Sequence, residues 1–215
     1  PDLVYRPWSL EGDRIESRDI SGSLPVIQVG VVWRRGSHLP ESARDFIGIA
    51  QTHLVWFGNH KASYKNSGLA HVDKIRPVLE KVNESHPLTL TIISNSKEVF
   101  DQVFTNWELP VFYLGWSAHT FYKAMQLHKI AVIPIDVNEF TEVKTNNRIA
   151  LSLFLGLGVV ADSIDSYREF SDCSFLDSWE DGLRSYVEQP ELLDEHVPRA
   201  RKLIREKFTI ETIAD

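Results

Sequence analysis

A single cysteine, Cys173, stands in the 215-residue chain. No internal disulfide is available, which fits a reducing compartment, and a lone thiol of this kind is expected to be a small buried hydrophobe. Long apolar runs are lacking too. The most extended one, Ile149 to Ala161, is broken by Ser152, Gly156 and Gly158 and falls short of the ~20 residues a membrane helix needs. The N-terminus, PDLVYRPWSLEGDRIESRD, lacks the basic-then-apolar layout of a secretory signal. Basic charge is scarce: 23 Lys and Arg stand against 30 Asp and Glu, for a net charge of −7 and a pI near 5.6. That balance argues against general binding to nucleic acid or anionic lipid, which require clustered cations.

Several chemical signatures are absent. There is no Asp-x-Asp motif, no histidine pair at helical spacing and no cysteine cluster, so no resident metal is expected. A Gly-x-Ser-x-Gly elbow and a Gly-Lys-Ser/Thr phosphate loop are both missing, which sets aside esterase-type hydrolases and P-loop enzymes. WFGNHK follows the first strand where a receiver domain would carry acidic residues. No internal repeat or low-complexity tract is visible.

What is present is a normal globular composition, 43% hydrophobic and 25% charged, with six Trp, six Tyr and eleven Phe to fill a core. From residue 54 onward, short β-branched runs alternate with amphipathic ones, the pattern of repeated βαβ units. LVWFG (54–58), LTLTIIS (88–94), VFYLGW (111–116), IAVIPI (130–135) and GVVAD (158–162) predict strands covered on both faces. Helices are predicted over 69–85, 96–105, 117–127 and 147–155, with Ser96 and Ser117 as N-caps and Pro77 kinking the first or marking its early turn. SYREF, a helix near 178–188, a charged helix near 191–206 and a last short helix capped by Thr209 follow. The expected fold is a Rossmann-like doubly wound parallel sheet of five or six strands with helices on both faces, occupying 51–215. Residues 1–50, with a strand-like VIQVGVVW, read as a partly extended leader or linker.

In such a sheet, ligands bind at the carboxyl ends of strands near the switch in winding. This selects the loops Gly58-Asn59-His60-Lys61, Ser94-Asn95, Trp116, Asp136 to Asn147 and Ser163 to Tyr167. A helix opening near Thr145 or Asn146 offers unsatisfied amides and a partial positive charge, and Lys144 and Arg148 add two cations, so its mouth suits a diphosphate. The same residues also fit ordinary caps and solvated surface cations. The helix itself, IALSLFLG, reads as apolar all round and hence buried, with Gly156 as its C-cap. Trp116 fits either a nucleobase platform or an interface tryptophan.

LVWFGNH, VKTNNRIALSLFLGLGVVADSIDSYREF and the tail VPRARKLIREKFTIETIAD, in that order, resemble the C-terminal, donor-binding domain of GT-B fold, nucleotide-sugar-dependent glycosyltransferases. The resemblance covers residues 54–215. It implies a donor nucleotide sugar bound as substrate, with no cofactor and no metal, in bacterial polysaccharide or glycoconjugate synthesis. Carried over, Lys144, Thr145, Asn147 and Arg148 contact phosphate or sugar, Gly58, Asn59 and His60 border the donor, Ser94 and Trp116 flank the base, and Ser166 and Tyr167 complete the site after the last strand. The chain departs from the pattern in two places. Lys144 and Leu151 stand where many retaining relatives carry paired glutamates, leaving ribose contacts unassigned, and Gly158 replaces the usual proline. The resemblance further implies a partner, the N-terminal acceptor domain, in the parent chain or another polypeptide. The implied location is cytoplasmic, with peripheral attachment to the inner membrane through that missing domain. Two other functions share this architecture: a non-catalytic interaction module, and half of a nucleotide-sugar epimerase.

Overall fold

The computed structural model describes residues 51–60 and 68–208. The leader 1–50, with its strand-like 26–33, and the closing stretch from Thr209 lie outside the described residues. Six strands are formed: β1 (Thr52–Phe57), β2 (Leu88–Ser94), β3 (Val111–Gly115), β4 (Ile130–Ile133), β5 (Gly158–Ala161) and β6 (Phe175–Leu176). All pair in parallel, in the order β3-β2-β1-β4-β5-β6. Leu54 of β1 lies opposite Leu90 on one side and Ile130 on the other. The chain therefore winds outward through β2 and β3, then returns to place β4 against the free side of β1. A crevice opens at the carboxyl ends where the winding reverses.

Crossover helices cover both faces, as parallel strands require. The described helices are α1 (Leu69–Lys74), α2 (Arg76–Asn83), α3 (Lys97–Val103), α4 (Phe121–Met125), α5 (Glu139–Glu142), α6 (Asn147–Phe154), α7 (Trp179–Glu188) and α8 (Leu192–Lys207), with a 3-10 segment at Asp165–Cys173. Val55, Phe57, Ile133 and Val159 point into a core closed by α4, α6, the 3-10 segment and α8. Leu54, Trp56, Ile92 and Val132 point into the opposite core, closed by α1, α2, α3 and α7. Alternate side chains leave a strand on opposite faces, so burial of both faces produces the unbroken apolar runs of β1, β2, β4 and β5. Each fully buried Leu or Ile there contributes about 1.5–3 kcal/mol.

The structure adjusts several expected elements. The helix over 69–85 is two helices, α1 and α2, because Pro77 in the first turn of α2 has no N–H to continue α1. Ser96 caps α3 as expected, its hydroxyl accepting from Val99 N at 3.3 Å. Ser117 does not cap α4; its carbonyl accepts Phe121 N at 2.9 Å, and three residues of turn, 118–120, precede the helix. The 136–147 loop contains α5, held by a reciprocal capping box between Asn138 and Thr141. β6 is two residues long, too short to leave a pattern in sequence. Helix α6 is not buried on every face: Ile149 and Leu153 are buried, whereas the equally apolar Phe154 is 44% exposed. Gly156 ends it with φ at 99°. Cys173 is buried as expected, and burial pushes its thiol pKa up to about 11.

Two residues fasten the sheet ends. Gly158, at the start of β5, faces the junction of α7 and α8, where an added Cβ would lie 2.8 Å from both Leu193 and Tyr186. That contact explains glycine rather than a larger residue there. Asp162, just past β5, accepts Ile135 N through Oδ2 and Trp179 Nε1 through Oδ1, both at 2.7 Å. It thereby links the ends of β4 and β5 to α7. Burial raises its pKa above the ordinary 3.8, against the lowering effect of those two donors. A raised carboxyl pKa means the folded state binds the proton more tightly than the unfolded state. Its contribution is therefore full below the unfolded value and is lost as pH rises through the folded value.

Asp162→Ala should destabilise the fold by about 2–3 kcal/mol by stranding two donors, and the gap from wild type should be larger at pH 3 than at pH 7. Urea unfolding at both pH values checks this; an equal or reversed gap contradicts it. Gly158→Ala should cost about 1–3 kcal/mol by overpacking, read from the same unfolding midpoint.

Candidate functional site

The carboxyl edge of the sheet carries a cleft of about 560 Å³ lined by Phe57, Gly58, Asn59, Asn95, Trp116 and Arg148. These residues come from four places: the ends of β1, β2 and β3, and the first turn of α6. The cleft therefore sits on one side of the winding switch, where the fold leaves space.

Its one charged wall is Arg148, half-buried at the start of α6. The guanidinium carbon lies 5.2 Å from the ring centroid of Trp56 and 5.1 Å from that of Phe57. Two aromatic faces at this range attract the cation and hold the long side chain in one place. At Gly58 the backbone runs close to the same indole: a Cβ there would stand 3.1 Å from the Trp56 ring. The Trp56 side chain is 2% exposed, and its indole N–H has no acceptor among the described residues.

The mouth of α6 is held open from the side. Asn146 occupies the N-cap position but makes no side-chain cap bond. Its amide instead donates to Glu169 Oε1 at 2.8 Å, and Lys207 donates to Oε2 of the same carboxylate at 3.2 Å. Ser166 Oγ donates to the Lys144 carbonyl at 2.7 Å. The 3-10 segment thus buttresses the turn into α6 through Ser166 and Glu169, while Tyr167 and Phe170 anchor it in the core. The partial positive end of α6 is not covered by a side chain of its N-cap residue.

The loop after β1 is pinned at both flanks of His60. The His60 backbone N–H donates to Asn95 Oδ1 at 3.0 Å, and ring Nδ1 lies 2.8 Å from the same oxygen. The His60 carbonyl accepts Leu69 N at 3.2 Å. Gly68, with φ at 68°, closes against that carbonyl, where a Cβ would lie 2.2 Å away.

Of the residues expected at the site, Gly58, Asn59, Trp116 and Arg148 line the cleft together. His60 stands beside it, tied to Asn95. Trp116 is 58% exposed just past β3, and its backbone N–H donates to the Ser94 carbonyl at 2.9 Å. Ser94 itself is fully buried; its carbonyl also takes the Tyr113 hydroxyl at 3.0 Å, so it shapes the wall rather than lining it. Lys144 and Thr145 are exposed in the turn before α6 and do not line the cleft. Asn147 opens on a different depression, formed with Ala150, Phe154 and Phe208 between α6 and α8. Ser166 is engaged with Lys144. Tyr167 is 2% exposed and packed in the core; burial raises its pKa, with Arg148 opposing. Asp136, which opens the loop after β4, pairs with Lys74 and borders a separate cavity of about 460 Å³ with Asp162 and Trp179. No group of three or more metal-ligating side chains occurs among the described residues, and no described helix is long and apolar enough to cross a membrane.

Asn95, in the Ser94-Asn95 loop selected from the sequence, joins the cleft wall, and Glu169 supports the turn into α6. Asn95 follows a strand end, a position that flags it in sequence, but its bonds to a loop 35 residues away are set by the β1–β2 pairing.

No protein-family profile and no curated protein matches the sequence. Solved structures do match. Staphylococcus aureus TarM, in a complex that includes UDP, superposes with a TM-score of 0.58 at 16% identity, over 76% of this chain and 34% of that one. HepE of Anabaena, in complex with UDP and glucose, gives 0.56 at 16%, over 80% and 48%. A glycosyltransferase of Rickettsia africae gives 0.56 at 12%, over 82% and 50%. The sheet order, the helices on both faces and these matches establish the fold as Rossmann-like, one half of the GT-B architecture. The chain spans between a third and a half of the length of those proteins.

Because a backbone N–H can only donate, Asn95 Oδ1 must be the acceptor facing His60, and the neutral His60 ring must then carry its proton on Nδ1. Nitrogen-15 NMR should show that tautomer in the wild-type chain and its loss in Asn95→Ala; an unprotonated Nδ1 in the wild type contradicts the assignment.

Proposed function

We propose that this chain is the donor-binding half of a glycosyltransferase, taking a nucleoside-diphosphate sugar for transfer of its glycosyl group to an acceptor. The observation that carries the reading is the position of Arg148: a cation fixed over two aromatic rings, at the mouth of α6, facing the glycine-bearing end of β1 across a cleft at the winding switch. This arrangement suits a pyrophosphate. Arg148 would grip its oxygens, and the α6 dipole would add a positive potential along the same direction.

Transfer of the glycosyl group leaves negative charge on the departing diphosphate. Groups already aimed at that charge stabilise the transition state without reorganising, and Arg148 with the α6 terminus supplies them without a resident metal. Trp116, at the far end of the cleft, offers a face for the base. Ser166 and Glu169 hold the turn that sets the height of α6. TarM and HepE, whose structures contain UDP, favour a uridine nucleotide as the first ligand to test. The reading includes an acceptor site contributed by a second domain, a cytoplasmic location with peripheral membrane attachment through that domain, and a place in bacterial polysaccharide or glycoconjugate synthesis.

Calorimetric titration of the chain with UDP and UDP- and GDP-sugars should show binding, and Arg148→Ala should weaken it by about 1.5–3 kcal/mol, the worth of a charge-assisted hydrogen bond. A folded wild-type chain that binds none of these ligands at millimolar concentration rules out the donor-binding function; undiminished affinity in Arg148→Ala rules out the role of Arg148.

A further inference from the structure

We propose that Asn95 recognises the ribose of the bound nucleotide through its side-chain Nδ2 group, an assignment that rests on the donor-binding reading above. The His60 backbone N–H, an obligate donor, orients the Asn95 amide with Oδ1 toward His60. The same oxygen takes the His60 ring at 2.8 Å and lies 3.5 Å from the Ser94 hydroxyl. Oδ1 is thereby occupied within the protein. The Nδ2 group, with two N–H donors, makes no hydrogen bond to any described residue and is what Asn95 can offer to the cleft it lines.

The order of strands gives that donor its target. Along the edge of the sheet the cleft wall runs from Trp116 after β3, to Asn95 after β2, to Gly58 after β1, and then to Arg148 on the helix that follows β4. Neighbouring strands lie about 4.8 Å apart, so Trp116 and Gly58 are separated by roughly 10 Å across Asn95. A nucleoside diphosphate laid along this wall, with its base at Trp116 and its phosphates at Gly58 and Arg148, carries its sugar ring over Asn95. A ribose hydroxyl oxygen is the acceptor that the Nδ2 donors meet there. Lys144 and Leu151 offer no carboxylate to that ring, and Asn95 supplies a polar contact from a different strand.

Asn95 also holds His60, so its removal disturbs the loop as well as the proposed contact. Comparing nucleotides separates the two effects. A loop disturbance weakens all nucleotides alike, whereas a lost ribose contact removes only the preference for the hydroxyl. The wild-type chain should bind UDP roughly three- to tenfold more tightly than at least one of 2′-deoxyUDP and 3′-deoxyUDP, the range of a neutral hydrogen bond. In Asn95→Ala that ratio should fall to about one, with UDP affinity itself reduced and cooperative thermal unfolding retained. An unchanged ratio in the variant, or no preference in the wild type, overturns the ribose assignment and leaves the donor-binding reading intact. Failure of the wild-type chain to bind any of the three nucleotides overturns both.

Discussion

Strand β1 is hydrogen-bonded on both sides, to β2 and to β4, and the rest of the molecule depends on that double pairing. It forces the chain to leave β1 in one direction and come back on the other, and right-handed crossovers then place helices on both faces of the sheet. Two buried faces produce the two cores. The reversal leaves a crevice above the carboxyl end of β1, and the residues that matter chemically converge there from four separate stretches of chain.

The electrostatics of the crevice follow from its walls. A chain with a net charge of −7 has no general affinity for phosphate, so anion binding must be local and geometric. Arg148 meets that need because Trp56 and Phe57 fix its guanidinium, and because α6 is held rigidly below it by Ile149 and Leu153 in the core. The 3-10 segment does the complementary work. Glu169 engages Asn146 and Lys207, Ser166 engages the Lys144 carbonyl, and none of these three contacts requires a ligand to be present.

Matches at 12–16% identity with TM-scores of 0.56–0.58 show how little of the sequence the architecture constrains. Gly158 shows one position that the packing of this chain does constrain. Tyr186 and Leu193 come so close to the start of β5 that no side chain fits between them, so α7 and α8 rest directly on the strand backbone.

Much of the fold was legible along the chain. The five longer strands, most of the longer helices, the Ser96 cap and the cationic turn before α6 each leave a local signal, because burial on two faces, helical periodicity and capping act over a few consecutive residues. Pro77 flags a break within 69–85 locally, but the two-residue β6 and the exposed Phe154 were not legible, since each depends on what lies alongside in space. The same holds at the cleft. Sequence singles out Gly58, Trp116 and Arg148 as residue types suited to a ligand, but only the tertiary structure separates Arg148, which lines the cleft, from Asn147, which opens on another depression. It also buries Tyr167 and makes Asn95 the partner of His60. Those choices are made by strand order and helix rotation, which bring together residues far apart along the chain and so leave no trace in any short stretch of it.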